Sequence, residues 1–465
     1  MLKNVIALVL LAVSSISSAQ SAAGSWYGTL DIQGTKIKLV FHIESVDGFY
    51  RTSMDSPDQG VKGMKTDTTI VEGDSIAITI NNIAVEYRGY VAPAGGRIDG
   101  IFTQNGFSFP LNLSTEAVSL EDLLRPQDPR DFPYFSENVV FKSNAEGVEL
   151  AGTITMPYEG DVKQAVVLVT GSGPQNRDSE MLIYNHRPFL VLSDFFTRNG
   201  IAVLRYDDRG VGGSSGKYAL STINDFTEDA KGAIQYLRSR ADLQGVQVGM
   251  VGHSEGGIIT PRCSDLLDFM VLMSAPGTSI PETLLEQSRM VNKASGVQDS
   301  ILDANDIVMA KLYGYVIEHG IQEDSLLLSN LTQIFKNNAG LYPQKTKEEM
   351  GDLDAYAQSI LAPMLSPWFR DFLTIIPYNA IREVKIPVLA INGTLDMQVP
   401  YSSNLSSIEE ALKDGGNDSY QIIAMEGLNH LFQSAITGSP GEYGVISETV
   451  NEEAMRTMSE WIKKQ

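Results

Sequence analysis

Residues 251–257 read VGHSEGG and place Ser254 between Gly252 and Gly256. A serine hydroxyl attacks a carbonyl only when a neighbouring base takes its proton. Glycines on both flanks allow the sharp strand-to-helix turn that exposes such a serine. A glycine-rich turn without chemistry would satisfy the same short match, so the surroundings decide. The apolar run VQVGMVG (246–252) precedes Ser254 and EGGIITPRC follows it. That is the strand–turn–helix context a nucleophile requires.

A nucleophilic serine on such a turn needs an acid and then a histidine later in the chain. Five histidines are present: His42, His186, His253, His319 and His430. His319 and His430 follow Ser254. His319, in YVIEHGI, reads as a solvent-facing residue at a helix end. His430, in MEGLNHLF, follows the last strand-like run, YQIIAM, where a base can reach over a sheet edge. The acid should leave the preceding strand, and VLAINGTLDMQVP supplies Asp396 there. Its role would be to fix the histidine tautomer and stabilise the imidazolium. Glu426, beside the histidine loop, lies too late in chain order. For the oxyanion, one donor should be the backbone N–H after the nucleophile, that of Glu255. A second should come from the loop TGSGPQNRD (170–178), with Ser172 in the donor position and Gly173 next. That loop lacks the Lys and Ser/Thr ending of a phosphate-binding P-loop and the spacing of a dinucleotide fingerprint. The pair Asp207–Asp208, in YDDRGVGGSSG, reads as structural, with Arg209 pairing locally.

The elements that must carry these residues read as two kinds of structure. From about 24 to 115, short alternating runs such as TKIKLVFHIES and IAVEYRGYVA predict a small antiparallel all-β domain. Asn105-Gly106 suggests a two-residue hairpin turn. This region carries no cluster of catalytic residue types; it is read as structural or as one wall of a site. Residues 116–138 hold Pro126, Pro129 and Pro133 and read as an ordered linker. From 139, continuous apolar runs alternate with helical stretches, which predicts a doubly wound, mostly parallel α/β sheet with an antiparallel edge. A helix-rich interruption at about 281–380 has no matching strand and reads as a cap over the strand C-termini, where ligands bind in open α/β sheets. Trp368, Phe369, Phe372 and Leu373 could line an acyl pocket or form the cap's own core; core is the default reading.

Bulk properties narrow the partners. The chain has 465 residues, enough for about two or three domains. Its formal net charge of -22 argues against nucleic acid and anionic membranes, which select for basic patches. A single cysteine, Cys263, excludes an internal disulfide and a cysteine metal cluster. The stretch MLKNVIALVLLAVSSISSAQ reads as a secretory signal over residues 1–19: Lys3, then an apolar core from Asn4 to Val13, then Ser17-Ser18-Ala19 as a cleavage site. Its apolar core is shorter than the roughly 20 residues a membrane span needs. The expectation is a periplasmic or secreted bacterial protein with no membrane span; the oligomeric state is not readable.

Taken together, TGSGPQNRD, LRYDDRGVGGSSG, GHSEGG, SPWFRDFLTIIPY, IPVLAINGTLDMQVP and LNHLFQ resemble the α/β-hydrolase superfamily, in the order it requires. Residues 139–465 are similar to secreted bacterial carboxylesterases of its serine-aminopeptidase-like branch, in which a small β-domain can come first. The resemblance implies a triad of Ser254, Asp396 and His430, with oxyanion N–H groups from Ser172 and Glu255. It implies a small-molecule ester substrate, an acyl-enzyme, and neither cofactor nor metal. Thr170 departs from the histidine that related enzymes often carry before the glycine. A serine aminopeptidase of the prolyl-aminopeptidase type is the alternative. It would need an acidic cluster for a substrate ammonium, with Glu318, Asp352 and Asp354 as candidates. A binding protein on a catalytically inactive hydrolase fold is the third reading, which an intact triad opposes.

Overall fold

Side chains that alternate between core and solvent build roughly the first quarter of the chain. A computed structural model describes residues 22–465 other than 33–34, 47–48, 57–60, 93–94, 105–106, 117–124, 159 and 182–183. The signal segment 1–19, the Asn105-Gly106 turn and the start of the linker lie outside the described residues. Ten strands follow one another: β1 (Gly24–Ile32), β2 (Thr35–Val46), β3 (Phe49–Ser56), β4 (Val61–Lys65), β5 (Thr68–Glu72), β6 (Ser75–Ile80), β7 (Val85–Val91), β8 (Arg97–Gln104), β9 (Phe107–Pro110) and β10 (Leu113–Ser114). They form one antiparallel sheet in the order β4-β3-β2-β1-β10-β8-β7-β6-β5, with β9 on β8. In β6 every second residue is buried. That period of two turns one face onto a core of Trp26, Leu39, Phe41, Ile78, Tyr87 and Ile98.

The chain divides into two compact units at 123/124, the second comprising Leu124–Met181 and Asn185–Gln465. In the second, β11 (Tyr134–Lys142) and β12 (Glu149–Pro157) form an antiparallel hairpin. β11 begins at Tyr134, inside the stretch read as linker. The last proline of that stretch is Pro133, and beyond it nothing prevents ladder hydrogen bonds. Then come β13 (Gln164–Val169), α1 (Pro188–Arg198), β14 (Ala202–Tyr206), α2 (Ile223–Ser239), β15 (Gln247–His253), α3 (Glu255–Ile259) and β16 (Phe269–Met273). The cap segment follows as α4 (Ile280–Ala294), α5 (Asp299–His319), α6 (Asp324–Asn338), α7 (Gln344–Met350), α8 (Leu353–Leu361), α9 (Pro367–Leu373) and α10 (Pro377–Arg382). β17 (Val388–Gly393), α11 (Tyr401–Asp414), β18 (Tyr420–Met425) and α12 (Glu452–Ile462) close the unit.

The sheet order is β11-β12-β14-β13-β15-β16-β17-β18, parallel from β14 onward. Strands β13, β14, β16 and β17 are buried at every position. They therefore read as continuous apolar runs rather than alternating ones, because both faces are covered. One face packs on Ile234, Leu237, Ile258 and Ile408, the other on Phe189, Phe196, Met455 and Met458. The chain leaves β13 towards one edge and returns to the opposite side as β15. The loops after these two strands therefore open into the same crevice, the topological switch point.

Candidate active site

Ser254 sits between the end of β15 and the start of α3 with φ 54° and ψ -117°, a backbone conformation that side chains rarely adopt. The tertiary structure holds it there. The Ser254 N–H donates to Met273 O at 2.9 Å, and its carbonyl accepts from the Gly257 N–H at 2.8 Å. Two glycines permit the close approach. A Cβ on Gly252 would lie 2.2 Å from Gly256 O, and one on Gly256 would lie 2.3 Å from Val169 O. Helix α3 is thus pressed against β15 and β13 at a distance that admits only hydrogen at those positions.

Asp396 leaves the end of β17. Its Oδ1 accepts the backbone N–H groups of Gln398 (2.8 Å) and Val399 (2.9 Å). Its Oδ2 lies 2.8 Å from His430 Nδ1, with both side chains buried. A carboxylate can only accept here, so Nδ1 carries the proton and Nε2 is left as the base. The loop that carries His430 is built by its neighbour. Asn429 Oδ1 accepts the Leu431 and Gln433 N–H groups, both at 3.0 Å, and Asn429 Nδ2 donates to Gln433 Oε1. Glu426, the other local acid, is exposed.

His253 links this loop to the serine turn. Its Nε2 is 2.9 Å from His430 O, and the two imidazoles lie 4.8 Å apart between centroids. Burial, and secondarily the nearby His430, lower the His253 pKa to about 4. His253 is therefore neutral at pH 7 and its Nε2–H donates to that carbonyl. Sequence reasoning passed over this residue because it precedes the nucleophile.

The loop after β13 is held from below. Thr170 Oγ1 donates to Asp208 Oδ1 (3.1 Å), and the Gln175 N–H donates to Asp208 Oδ2 (2.9 Å). Burial pushes the Asp208 carboxyl up to about 7 against these two donors. Asp207 does something different: it accepts the Arg177 guanidinium and the Gly213 N–H. Arg209 does not pair within its own loop. It reaches Asp225 and Asp229 of α2, so the reading of a locally paired loop is corrected. Gly173 N–H, the alternative oxyanion donor, is already given to Tyr218 Oη at 2.9 Å.

A cavity of about 90 Å³ adjoins the serine, lined by Ser172, Ser254, Glu255, Leu284, Trp368 and Phe372 among others. Trp368 and Phe372 serve both readings: Phe372 belongs to the buried core and Trp368 packs against it, and both also face this cavity. Leu373 is buried in the core and Phe369 packs against it. The Glu255 side chain also enters the site. Burial raises its carboxyl to about 8, opposed by the hydrogen bond from Trp368 Nε1 at 2.8 Å. That bond ties α9 of the cap to the serine turn. The cap acids do not converge. Glu318 ends α5, Asp352 caps α8 through the Ala355 N–H, and Asp354 pairs with Lys336; none of the three lines this cavity. His319 stacks on Tyr315 within α5, and His186 is buried against Thr449 O.

The crossover of β13 and β15, the strained serine turn and the acid and histidine after β17 and β18 decide the fold. The second unit has the α/β-hydrolase fold. Residues 187–339 match the family model described as serine aminopeptidase, S33. The chain is 25% identical over 315 residues to the esterase EstD of Thermotoga maritima. That alignment covers 66% of this chain and 65% of EstD, so the chain spans just under two thirds of that relative. It is 21% identical over 271 residues to the bifunctional esterase/perhydrolase DCH of Acinetobacter calcoaceticus, covering 52% of this chain and 84% of DCH. Among solved structures, an esterase of Pyrococcus furiosus aligns with a TM-score of 0.43 and 16% identity, over 75% of this chain and 95% of the other. Among the described residues, no helix is long and apolar enough to cross a membrane.

Proposed function

We propose that this protein is a serine carboxylesterase. The reading is carried by one observation: the buried 2.8 Å contact between His430 Nδ1 and Asp396 Oδ2, in a loop tied through His253 to the turn that bears Ser254. His430 Nε2 takes the Ser254 proton as Oγ attacks the acyl carbon. The negative charge on the carbonyl oxygen is met by the N–H groups of Ser172 and Glu255. Collapse breaks the bond to the alcohol oxygen, which takes the proton back from His430. Water, deprotonated by the same nitrogen, then releases the acid and restores Ser254. The esterase names of the two relatives support an ester substrate.

The matched family model also raises aminopeptidase chemistry. The scattered cap acids weigh against it, because a substrate ammonium needs carboxylates gathered at the cavity. Ser254→Ala tests the proposal. It should remove p-nitrophenyl butyrate hydrolysis by roughly a millionfold in kcat. Unchanged turnover would overturn it, and preference for aminoacyl naphthylamides over acyl esters would favour the peptidase.

A further inference from the structure

In a trans peptide the C=O of one residue and the N–H of the next point in opposite directions. No peptide bond among the described residues is cis. Gln175 Nε2 donates to both Gly171 O (3.1 Å) and Ser172 O (3.2 Å). The Gly171 carbonyl therefore faces Gln175, and the Ser172 N–H in the same peptide plane faces away from it. One peptide further on, the same rule can be checked: Ser172 O faces Gln175, and the Gly173 N–H points instead to Tyr218 Oη. A Cβ on Gly171 would lie 3.1 Å from Ser254 Cβ, and Ser172 lines the cavity beside Ser254.

We propose that Gln175, pinned by Asp208, is the positioning residue that aims the Ser172 N–H at the oxyanion. It touches neither substrate nor nucleophile; it acts through the two carbonyls it holds. Asp208 grips the Gln175 backbone from both sides, accepting its N–H at Oδ2 and donating its own N–H to Gln175 O at 3.1 Å. Ser179 Oγ donates to Gln175 Oε1, which orients the amide so that its NH₂ faces the loop. Thr170 adds the contact to Asp208 Oδ1, so the residue that departs from the family pattern is part of this clamp.

The inference rests on the esterase reading of Ser254. The test is Gln175→Met and Gln175→Glu, measured beside Ser254→Ala. Both variants remove the two donors while keeping side-chain length. We expect kcat on p-nitrophenyl butyrate to fall roughly 10- to 100-fold, part of the loss from deleting a whole oxyanion donor, with KM within about twofold. The inhibition constant of a butyryl trifluoromethyl ketone, which forms the tetrahedral adduct, should rise by the factor that kcat/KM falls. Circular dichroism should show folded protein. A purely structural role would lower thermal stability without moving the ketone's affinity relative to substrate, and that result overturns the inference. So does wild-type kcat in either folded variant. If Ser254→Ala itself retains turnover, the esterase reading fails instead, and the two failures are distinguishable.

Discussion

Among the described residues, a histidine meets an aspartate at hydrogen-bond distance in each unit, once beside Ser25 and once in the set proposed to serve Ser254, and the two surroundings differ. In the first unit, Ser25 Oγ lies 2.9 Å from His42 Nδ1, and His42 Nε2 lies 2.9 Å from Asp55 Oδ2. These residues stand on adjacent strands, Ser25 directly opposite His42, as cross-strand neighbours on one sheet face do. In the second, Asp396 and His430 come from loops after parallel strands and Ser254 from a strained turn. The His42 and Asp55 side chains are 37% and 18% exposed; those of His430 and Asp396 are 6% and 0% exposed. Hydrogen-bonded geometry alone does not make a nucleophile. Burial of the acid and base and the strained backbone at Ser254 belong to the second set, and the proposed reaction would add backbone donors aimed at developing charge.

The comparison predicts paired outcomes. His430→Ala should lower kcat on an acyl ester by roughly 10⁴- to 10⁶-fold, whereas His42→Ala should leave it unchanged. A comparable loss in both would erase the distinction between the two sets. Asp396→Asn should cost about 10⁴-fold in kcat by upsetting the His430 tautomer, and Asp55→Asn nothing measurable. Active-site titration with a fluorophosphonate, followed by peptide mapping, should find label on Ser254 and none on Ser25.

Stability sharpens the contrast further. Gly256→Ala would drive a Cβ to 2.3 Å from Val169 O, and its melting transition should fall by the equivalent of about 1–3 kcal/mol or more. Gly63→Ala, at φ 66° with open space around the added carbon, should cost only about 1 kcal/mol. Differential scanning calorimetry reads both.

The pH-dependent effects have opposite signs in the two regions. Burial raises the Glu255 carboxyl from 4.5 to about 8. The folded chain then holds that proton more tightly than the unfolded one, so stability falls as pH rises from 4.5 through 8. Glu255→Gln keeps an acceptor for Trp368, and its melting temperature should gain on the wild type as pH goes from 4 to 8.5. Burial also acts to raise Asp55, but the Gly63 N–H and His42 outweigh it and hold the carboxyl below 3.8. Its contribution is present above that value and disappears as pH falls through the folded pKa. The small deficit of Asp55→Asn at pH 7 should shrink as pH falls below 3.8. Melting curves of the wild type and the two variants across pH would show whether the two trends diverge.

Much of the fold was legible in the chain. Buried parallel strands carry long apolar runs, exposed sheets alternate, and the cap interrupts both patterns. The serine turn was legible because close packing at 252 and 256 tolerates only glycine. Asp396 and His430 stood out because strand-end loops must deliver the acid and then the base in that order. Other parts of the site leave no such trace. Asp208 was read with Asp207 as one structural pair, yet one acid holds the loop after β13 and its neighbour holds Arg177. Trp368 was read as cap core by default, with an acyl pocket as the alternative; it does pack against the core, and it also donates to Glu255, 113 positions earlier.

The sequence by itself determined the elements, their alternation and the residues that must leave strand ends, since periodicity and glycine placement are local properties. Only the tertiary structure decided which of two neighbouring aspartates supports the loop and which way a peptide plane turns. It also decided that Glu255 meets the cap. Those are distances between segments far apart in the chain, and neither spacing nor composition encodes a distance.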